Sequence, residues 1–280
     1  MKEQIRHTGK KWICGLLSLC LCIALTGILL TTGISFGFFR DTVFLRAMSS
    51  RAYYEQLSEQ LQGDLEQVVA AYHIPAQAVA GVIDADQVYL DGYDNLTHAI
   101  IGKNYEADIT HITTDLQSCL ETYATAHGIE AEEAVKLASD SITHAMSQEY
   151  GRMLSFPFAN AYHTAKHICR QISVLIYSIC GAVALICSTL LLFLHHRRYH
   201  GMREIDHALL GAVISAGAIG GLAAYELMHM QLLNEPNAYA GMIRSYFTEA
   251  LQKGFWSIIV GAAIWFALMI VTHEMREKRI

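Results

Sequence analysis

The chain has 280 residues, of which 53% are hydrophobic and only 16% are charged. Its length would allow two soluble domains, but so apolar a composition is typical of an integral membrane protein. The formal net charge of −6 at pH 7 and the lack of a face rich in Lys and Arg argue against nucleic-acid binding. We therefore expect a membrane protein with no nucleic-acid partner.

Four stretches of the chain carry no charged residue and are long enough to cross a bilayer, which takes about 20 residues. They predict transmembrane helices at 13–39, 171–194, 208–225 and 254–272. A cleaved signal peptide is the alternative for the first stretch, because a basic segment precedes it. The length of that stretch and the aromatic residues at its end favour an uncleaved anchor.

Three of the short segments, 1–12, 195–207 and 273–280, are basic, whereas residues 40–170 contain 18 acidic residues and 8 basic ones. Because Lys and Arg are enriched in cytoplasmic loops, the short basic segments are expected inside the cell and the acidic segment outside a plasma membrane. The predicted order is a cytoplasmic tail 1–12, transmembrane helix 13–39, extracytoplasmic domain 40–170, transmembrane helix 171–194, cytoplasmic loop 195–207, transmembrane helix 208–225, extracytoplasmic loop 226–253, transmembrane helix 254–272 and cytoplasmic tail 273–280.

The acidic segment shows helical periodicity and no convincing strand. Its first apolar stripe has steps of three and four residues and comprises Tyr54, Leu57, Leu61, Leu65, Val68 and Tyr72. This helix could continue the first transmembrane helix without a break. A second helix is expected from Asp84, with Gln87 completing a capping box and with a stripe of Tyr89, Tyr93, Leu96 and Ile100.

Three further helices are expected in the same segment, from Asp108, from Glu130 and from Ser155. The helix from Glu130 would turn Ile142, Met146 and Tyr150 inward, and the helix from Ser155 would continue into the second transmembrane span. The predicted fold is therefore all-α: a four-helix transmembrane protein with an all-helical extracytoplasmic bundle inserted between spans 1 and 2.

Several polar groupings resemble functional sites but lack an essential element. Asp84, Asp86, Asp91 and Asp94 do not fit a calcium loop, which needs Gly at its sixth position, and they indicate a capped, solvated helix start instead. His163 and His167 have the spacing of a zinc pair but no glutamate between them. Glu226 and His229 lack the matching carboxylates of a di-metal bundle. We expect no catalytic, metal or cofactor site.

Cysteine use does not indicate a disulfide scaffold. Five of the seven cysteines fall in the apolar stretches, and only Cys119 and Cys169 lie in the acidic segment. We expect free thiols, although these two could pair in an oxidising compartment.

Small residues recur along the third predicted span and define a candidate helix-packing face. It comprises Ala212, Ala216, Gly217, Gly220, Gly221 and Ala224, and it includes a G-x-x-x-G pair at Gly217 and Gly221. Small residues let helix backbones approach closely in lipid. The face could serve packing within the four-helix bundle or contact with another protein or a second copy.

The sequence favours a non-enzymatic membrane protein whose outer helical domain binds a protein partner or a ligand, as a sensor or an assembly factor. In outline the order of parts resembles FtsX- and MacB-type membrane subunits, and the resemblance covers topology only. It implies an alternative function, a permease-like subunit of a transport or mechanotransmission complex that works with a separate cytoplasmic ATPase. The expected partners are the bilayer and a membrane or extracytoplasmic protein, including the chain itself.

Overall fold

The computed structural model describes residues 2–103, 105, 108–128, 132–154, 159–195, 198–229 and 238–277. Its helices are α1 (Lys2–Gly37), α2 (Asp41–Met48), α3 (Arg51–Ala70), α4 (Ala85–Ile100), α5 (Thr110–Ala126), α6 (Glu132–Leu154), α7 (Ala159–Leu194), α8 (Arg198–Met228) and α9 (Ala238–Glu277), with a 3-10 helix (Ala76–Val79) after α3. The described residues contain no β-strand. The prediction of an all-α protein is confirmed.

Four of these helices are long and apolar enough to cross a membrane. The apolar stretches are Trp12–Gly37, Ala161–Leu194, Tyr199–Met228 and Ala240–Glu277. Their large apolar side chains point outward, as shown by Leu185 and Phe193, which are 72% and 82% exposed. So much exposed apolar surface is stable in hydrocarbon and not in water. The protein is therefore a multi-pass membrane protein.

The chain divides into two compact units. The first, the membrane unit, comprises residues 1–44, 166–235 and 244–280, and the second, the helical unit, comprises residues 45–165 and 236–243. The second unit corresponds to most of the acidic segment that the sequence sets apart from the apolar stretches. Cys119 and Cys169 are both free thiols.

In the membrane unit, α1 contacts each of the other three long helices. It meets α7 where the Thr32 hydroxyl lies 3.1 Å from that of Tyr177. It meets α8 where the Ser18 hydroxyl donates to the carbonyl oxygen of Glu204 at 3.4 Å. Buried residues of the three helices form a shared core of Cys14, Leu21, Cys187, Leu191 and Ala208.

Glycines bring α1 and α9 into close contact. A Cβ atom added to Gly33 would lie 3.1 Å from the carbonyl oxygen of Gly254, and one added to Gly37 would clash with the carbonyl oxygen of Ala250. The Ser257 hydroxyl of α9 donates to the carbonyl oxygen of Leu29 at 3.1 Å. Such close backbone approach is one of the ways in which helices associate in lipid, where apolar burial gives no driving force.

The helical unit packs α3, α4, α5 and α6 around one apolar core. The core contains the predicted residues Tyr54, Leu57, Leu61 and Leu65 of α3 and Ile142, Met146 and Tyr150 of α6. The last residue predicted for the α3 stripe is wrong, because Tyr72 lies beyond the end of α3 at Ala70 and is exposed. The stripe predicted for α4 is wrong in part. Tyr93 is exposed, and the buried residues of that helix are Val88, Asp91, Gly92, Leu96, Ala99 and Ile100.

The predicted continuity between the first transmembrane helix and the helical domain is wrong. Helix α1 ends at Gly37, α2 begins at Asp41 and α3 begins at Arg51. Asp41 stabilises the start of α2, because a carboxylate favours the positive end of a helix dipole, and it also forms an ion pair of 2.5 Å with Lys166. Ser50 has extended backbone angles, φ −71° and ψ 116°, and separates α2 from α3.

Helix α7, in contrast, runs from Ala159 to Leu194 without a break at residue 170. The predicted start of this helix at Ser155 lies outside the described residues, and so does the predicted start of α6 at Glu130. Helix α7 is therefore one unbroken helix that contains both polar and apolar residues.

Candidate functional site

A buried carboxylate lies at the junction of three helices of the helical unit. Asp91 of α4 is 6% exposed, although three other acidic residues of the same stretch are in water. The Tyr150 hydroxyl of α6 donates to Asp91 Oδ2 at 2.5 Å, and Gln87 Nε2 of α4 donates to Oδ1 at 3.1 Å. His111 Nε2 of α5 lies 3.9 Å from Oδ2. A buried carboxylate needs such donors, because an unpaired charge in the protein interior is strongly destabilised.

The prediction that the acidic stretch is a solvated helix start holds for Asp84 and Asp86 and is wrong for Asp91. Asp84 caps α4 by accepting a hydrogen bond from the backbone N–H of Asp86. Asp86 is exposed and pairs with Arg51 at 2.5 Å. Asp91 lies three residues after the buried Val88, and residues three or four apart share one face of a helix. Helical periodicity therefore places its carboxylate in the core.

Two tyrosines beside Asp91 are held in the protonated form. Burial, the hydrogen bond to Asp91 and the Asp91 charge together raise the pKa of Tyr150 far above its ordinary value. Burial, followed by the charges of Asp91, Asp94 and Asp108, raises the pKa of Tyr105 to about 12. Both phenols therefore remain hydrogen-bond donors at neutral pH.

We call Asp91, Gln87, Tyr105, His111 and Tyr150 the Asp91 cluster. It joins α4 to α6 through hydrogen bonds on Asp91, and the sequence, in which Asp91, Gln87 and Tyr150 were already singled out, did not predict that their side chains meet. Hydrogen bonds between buried polar groups fix the relative positions of helices. The His111 ring adds a group whose positive charge, when it is protonated, would be attracted to the carboxylate.

The predicted histidine candidates are not brought together. His163 packs its ring against Gly102, where an added Cβ would lie 2.8 Å from the imidazole, and Gly102 has a left-handed φ of +71° that favours glycine. The Tyr225 carbonyl oxygen accepts a hydrogen bond from His229 Nδ1 at 2.8 Å, and the His229 ring lies on that of Tyr225. Within the described residues, no three potential metal ligands form a group.

The small-residue face predicted on α8 occupies two different environments. Ala212 and Ala216 are fully buried in the membrane unit. An added Cβ on Gly220 would lie 3.6 Å from Ile258 and 3.7 Å from Phe255, which are both on α9, whereas Gly217 and Gly221 have open space at this position. Ala224, one turn beyond Gly220, is partly buried. Ala212, Ala216 and Gly220 therefore face the bundle. The G-x-x-x-G pair faces away from it.

A second buried carboxylate lies in the first half of α8, in the stretch that the sequence assigns to a cytoplasmic loop. Asp206 is 8% exposed, and its Oδ1 atom has no hydrogen-bond partner among the described residues. It lies three residues before Leu209, which is also buried. The apolar periodicity of the span, extended backward by one turn, would have placed Asp206 on the inner face.

No protein-family model, curated protein or solved structure matches the chain. The chain's own surfaces and buried groups are therefore what indicates its function. Among these groups, the Asp91 cluster links helices of the helical unit to each other. The same helices present acidic faces to solvent.

Proposed function

We propose that the chain is a non-enzymatic integral membrane protein whose helical unit faces outward and binds a protein partner through its acidic surface. The observation that supports this most directly is the placement of carboxylates on the faces opposite the core. Glu55 and Glu59 are exposed on α3, and Asp115 and Glu121 are exposed on α5. The core on the other side of these helices holds Leu57, Leu61, Leu116 and Leu120.

Ordered helices hold these carboxylates in place. Acidic groups at fixed positions attract a partner with a basic surface, which raises the association rate and selects against acidic partners. The surplus of acidic residues over basic ones in segment 40–170, 18 against 8, makes this field negative. The proposed partner is therefore a protein with a basic surface, encountered on the outer side of the membrane.

The outward placement of the helical unit rests on the basic residues of the short segments. Lys and Arg are concentrated in 1–12, 195–207 and 273–280, and this bias sets the orientation of membrane proteins. Arg203 is exposed near the start of α8, in the second of these segments. With four spans, we propose that both termini lie on the cytoplasmic side of the plasma membrane and residues 40–170 lie outside.

The test uses full-length protein, tagged at its C-terminus, in intact cells treated with an impermeant cross-linker. One variant neutralises the acidic faces: Glu59→Gln, Asp115→Asn and Glu121→Gln. The matched control changes exposed neutral side chains of the same two helices: Gln60→Ala, Ser118→Ala and Thr122→Ala. We expect wild type and control to capture the same protein, and the neutralised variant to lose most of that capture.

Raised salt should weaken the capture as well, because it screens charges at a solvent-exposed interface. Equal capture by the neutralised variant, or the lack of any enriched protein, would contradict the proposal. An ATPase that co-purifies and is released by changes in segment 195–207 would instead support the permease-like alternative. A native mass equal to that of the protein alone would remove that alternative.

A further inference from the structure

An apolar crevice runs along the surface of the membrane unit between α1, α8 and α9. It has a volume of about 170 Å³ and is open on one side. Its walls are formed by residues from Leu29 to Ile34 of α1 together with Phe38 just beyond the end of that helix, from Ile219 to Leu227 of α8 and from Leu251 to Ile258 of α9. All of these residues belong to the membrane unit.

The crevice exists because α8 has a glycine, Gly220, at the point where that helix faces α9. An added Cβ on Gly220 would be in ordinary contact with Ile258 and Phe255, so the glycine does not serve close helix approach. It leaves unfilled a space that a larger residue would occupy. Gly33 contributes to the opposite wall, where α1 meets α9.

The crevice offers no free polar group to an occupant. Ser257 is the lining residue with a hydroxyl, and its Oγ lies 2.8 Å from the carbonyl oxygen of Gly254 and 3.1 Å from that of Leu29. Apolar cavities of about 150 Å³ stay dry and take up small hydrocarbons such as benzene. The occupant is therefore a hydrocarbon group and not water.

The dimensions of the crevice indicate which kind of hydrocarbon it can hold. The wall from Leu29 to Phe38 rises by about 13 Å at about 1.5 Å per residue. One leaflet of a bilayer has a hydrocarbon depth of about 15 Å, half of the full core. Spread over a length of about 13 Å, a volume of about 170 Å³ has a mean cross-section of about 13 Å², which admits one hydrocarbon chain and not a whole helix, whose diameter is about 10 Å.

We propose that the crevice binds one acyl chain of a phospholipid from the leaflet next to Phe38 and Leu227. The chain lies along α8 over Gly220 and Ala223, between the walls formed by α1 and α9. Its headgroup remains at the membrane surface, beyond the end of α1 at Gly37. This inference is independent of the proposed partner of the helical unit.

Adjacent glycines provide a matched test. Gly220→Leu places a branched side chain in the crevice, whereas Gly221→Leu places the same side chain on the open side of the same helix, where an added Cβ meets no atom within 4 Å. Each variant is extracted from membranes in mild detergent, and retained phospholipid is counted by native mass spectrometry. We expect wild type and Gly221→Leu to retain one phospholipid, and Gly220→Leu to retain at least fivefold less.

A second measurement covers the case in which Gly220→Leu fails to fold. Wild-type protein in proteoliposomes is cross-linked to a phospholipid with a photoreactive group on its acyl chain. We expect the modified peptides to be enriched in Ile219, Ala223 and Ile258 over the exposed apolar residues Leu185 and Ile186 of α7. Equal labelling of the two sets, or equal lipid retention by the two leucine variants, would overturn the proposal.

Discussion

Tyr150 is the residue whose hydroxyl joins α6 to the buried carboxylate of α4. Tyr150→Phe keeps the ring and removes the donor to Asp91 Oδ2. Hydrogen bonds to charged groups contribute about 1.5–3 kcal/mol, and an unsatisfied buried acceptor adds to the loss. We expect amide hydrogen exchange in α4 and α6 of the full-length protein to become about tenfold faster or more, since about 1.4 kcal/mol corresponds to a factor of ten.

The control is Tyr93→Phe, which changes the same group on the exposed side of α4. With this variant, amide hydrogen exchange in α4 and α6 should be as slow as in wild type. Similar acceleration by the two variants would show that the phenol of Tyr150 does not hold the two helices together.

Alkaline pH provides a separate test of the residues in the helical unit. The pKa of Tyr105 is raised from 10.0 to about 12, mainly by burial, and the pKa values of Tyr54 and Tyr150 are raised too. Because the folded state holds these protons more tightly than the unfolded state, the associated stability is complete below pH 10 and is lost as pH rises. We expect helix content, followed by circular dichroism, to fall between pH 10 and about 12.

The matched variant is Tyr105→Phe, which has no proton to lose at this position. It should retain more helix than wild type in that pH interval, and its tyrosinate absorbance should lack one late-titrating group. Identical curves for the two proteins would contradict the assigned role of Tyr105.

At the scale of helices, α3 was predicted better than α4 for a physical reason. In α3 the large apolar residues and the core face coincide, so Tyr54, Leu57, Leu61 and Leu65 are all buried. In α4 the core face contains an acid and a glycine, and periodicity based on large side chains followed the tyrosines instead. Asp91 enters the core through partners on other helices, and no pattern local to α4 shows those partners.

Gly92 allows α3 and α4 to approach each other. An added Cβ would clash with Cε1 of Tyr54, whose ring is buried and cannot move freely. We expect Gly92→Ala to destabilise the helical unit by about 1–3 kcal/mol, as overpacking does elsewhere. Thermal unfolding followed by the far-ultraviolet signal of the purified protein measures this change.

Gly63 is the matched control, since it lies inside α3 with no atom within 4 Å of an added Cβ. Gly63→Ala should be neutral or stabilising by up to about 1 kcal/mol, because glycine is unfavourable within a helix. Gly92→Ala and Tyr54→Ala combined should lower the free energy of unfolding by less than the sum of the two single losses. Additive losses in that double variant would mean that the clash is not with Tyr54.

For the whole molecule, composition and charge-free stretches were enough to predict a helical, multi-pass membrane protein. The contacts of α1 with α7, α8 and α9 were not predictable in the same way. They depend on hydroxyl pairs such as Thr32 and Tyr177 and on glycines such as Gly33 and Gly37, which are distant in sequence from their partners. Nothing in a hydropathy pattern specifies which apolar helix another one touches.

The orientation of the whole chain is a prediction that cysteine labelling can test. In a parent without its seven native cysteines, Ser118→Cys places a thiol on the exposed face of α5, and Glu274→Cys places one near the end of α9. A maleimide that cannot cross membranes should label Ser118→Cys in intact cells, and Glu274→Cys only after permeabilisation. This result is expected because the basic residues of 1–12, 195–207 and 273–280 favour the cytoplasmic side. The reverse pattern would place the acidic helical unit in the cytoplasm, and its proposed partner would then have to be a cytoplasmic protein.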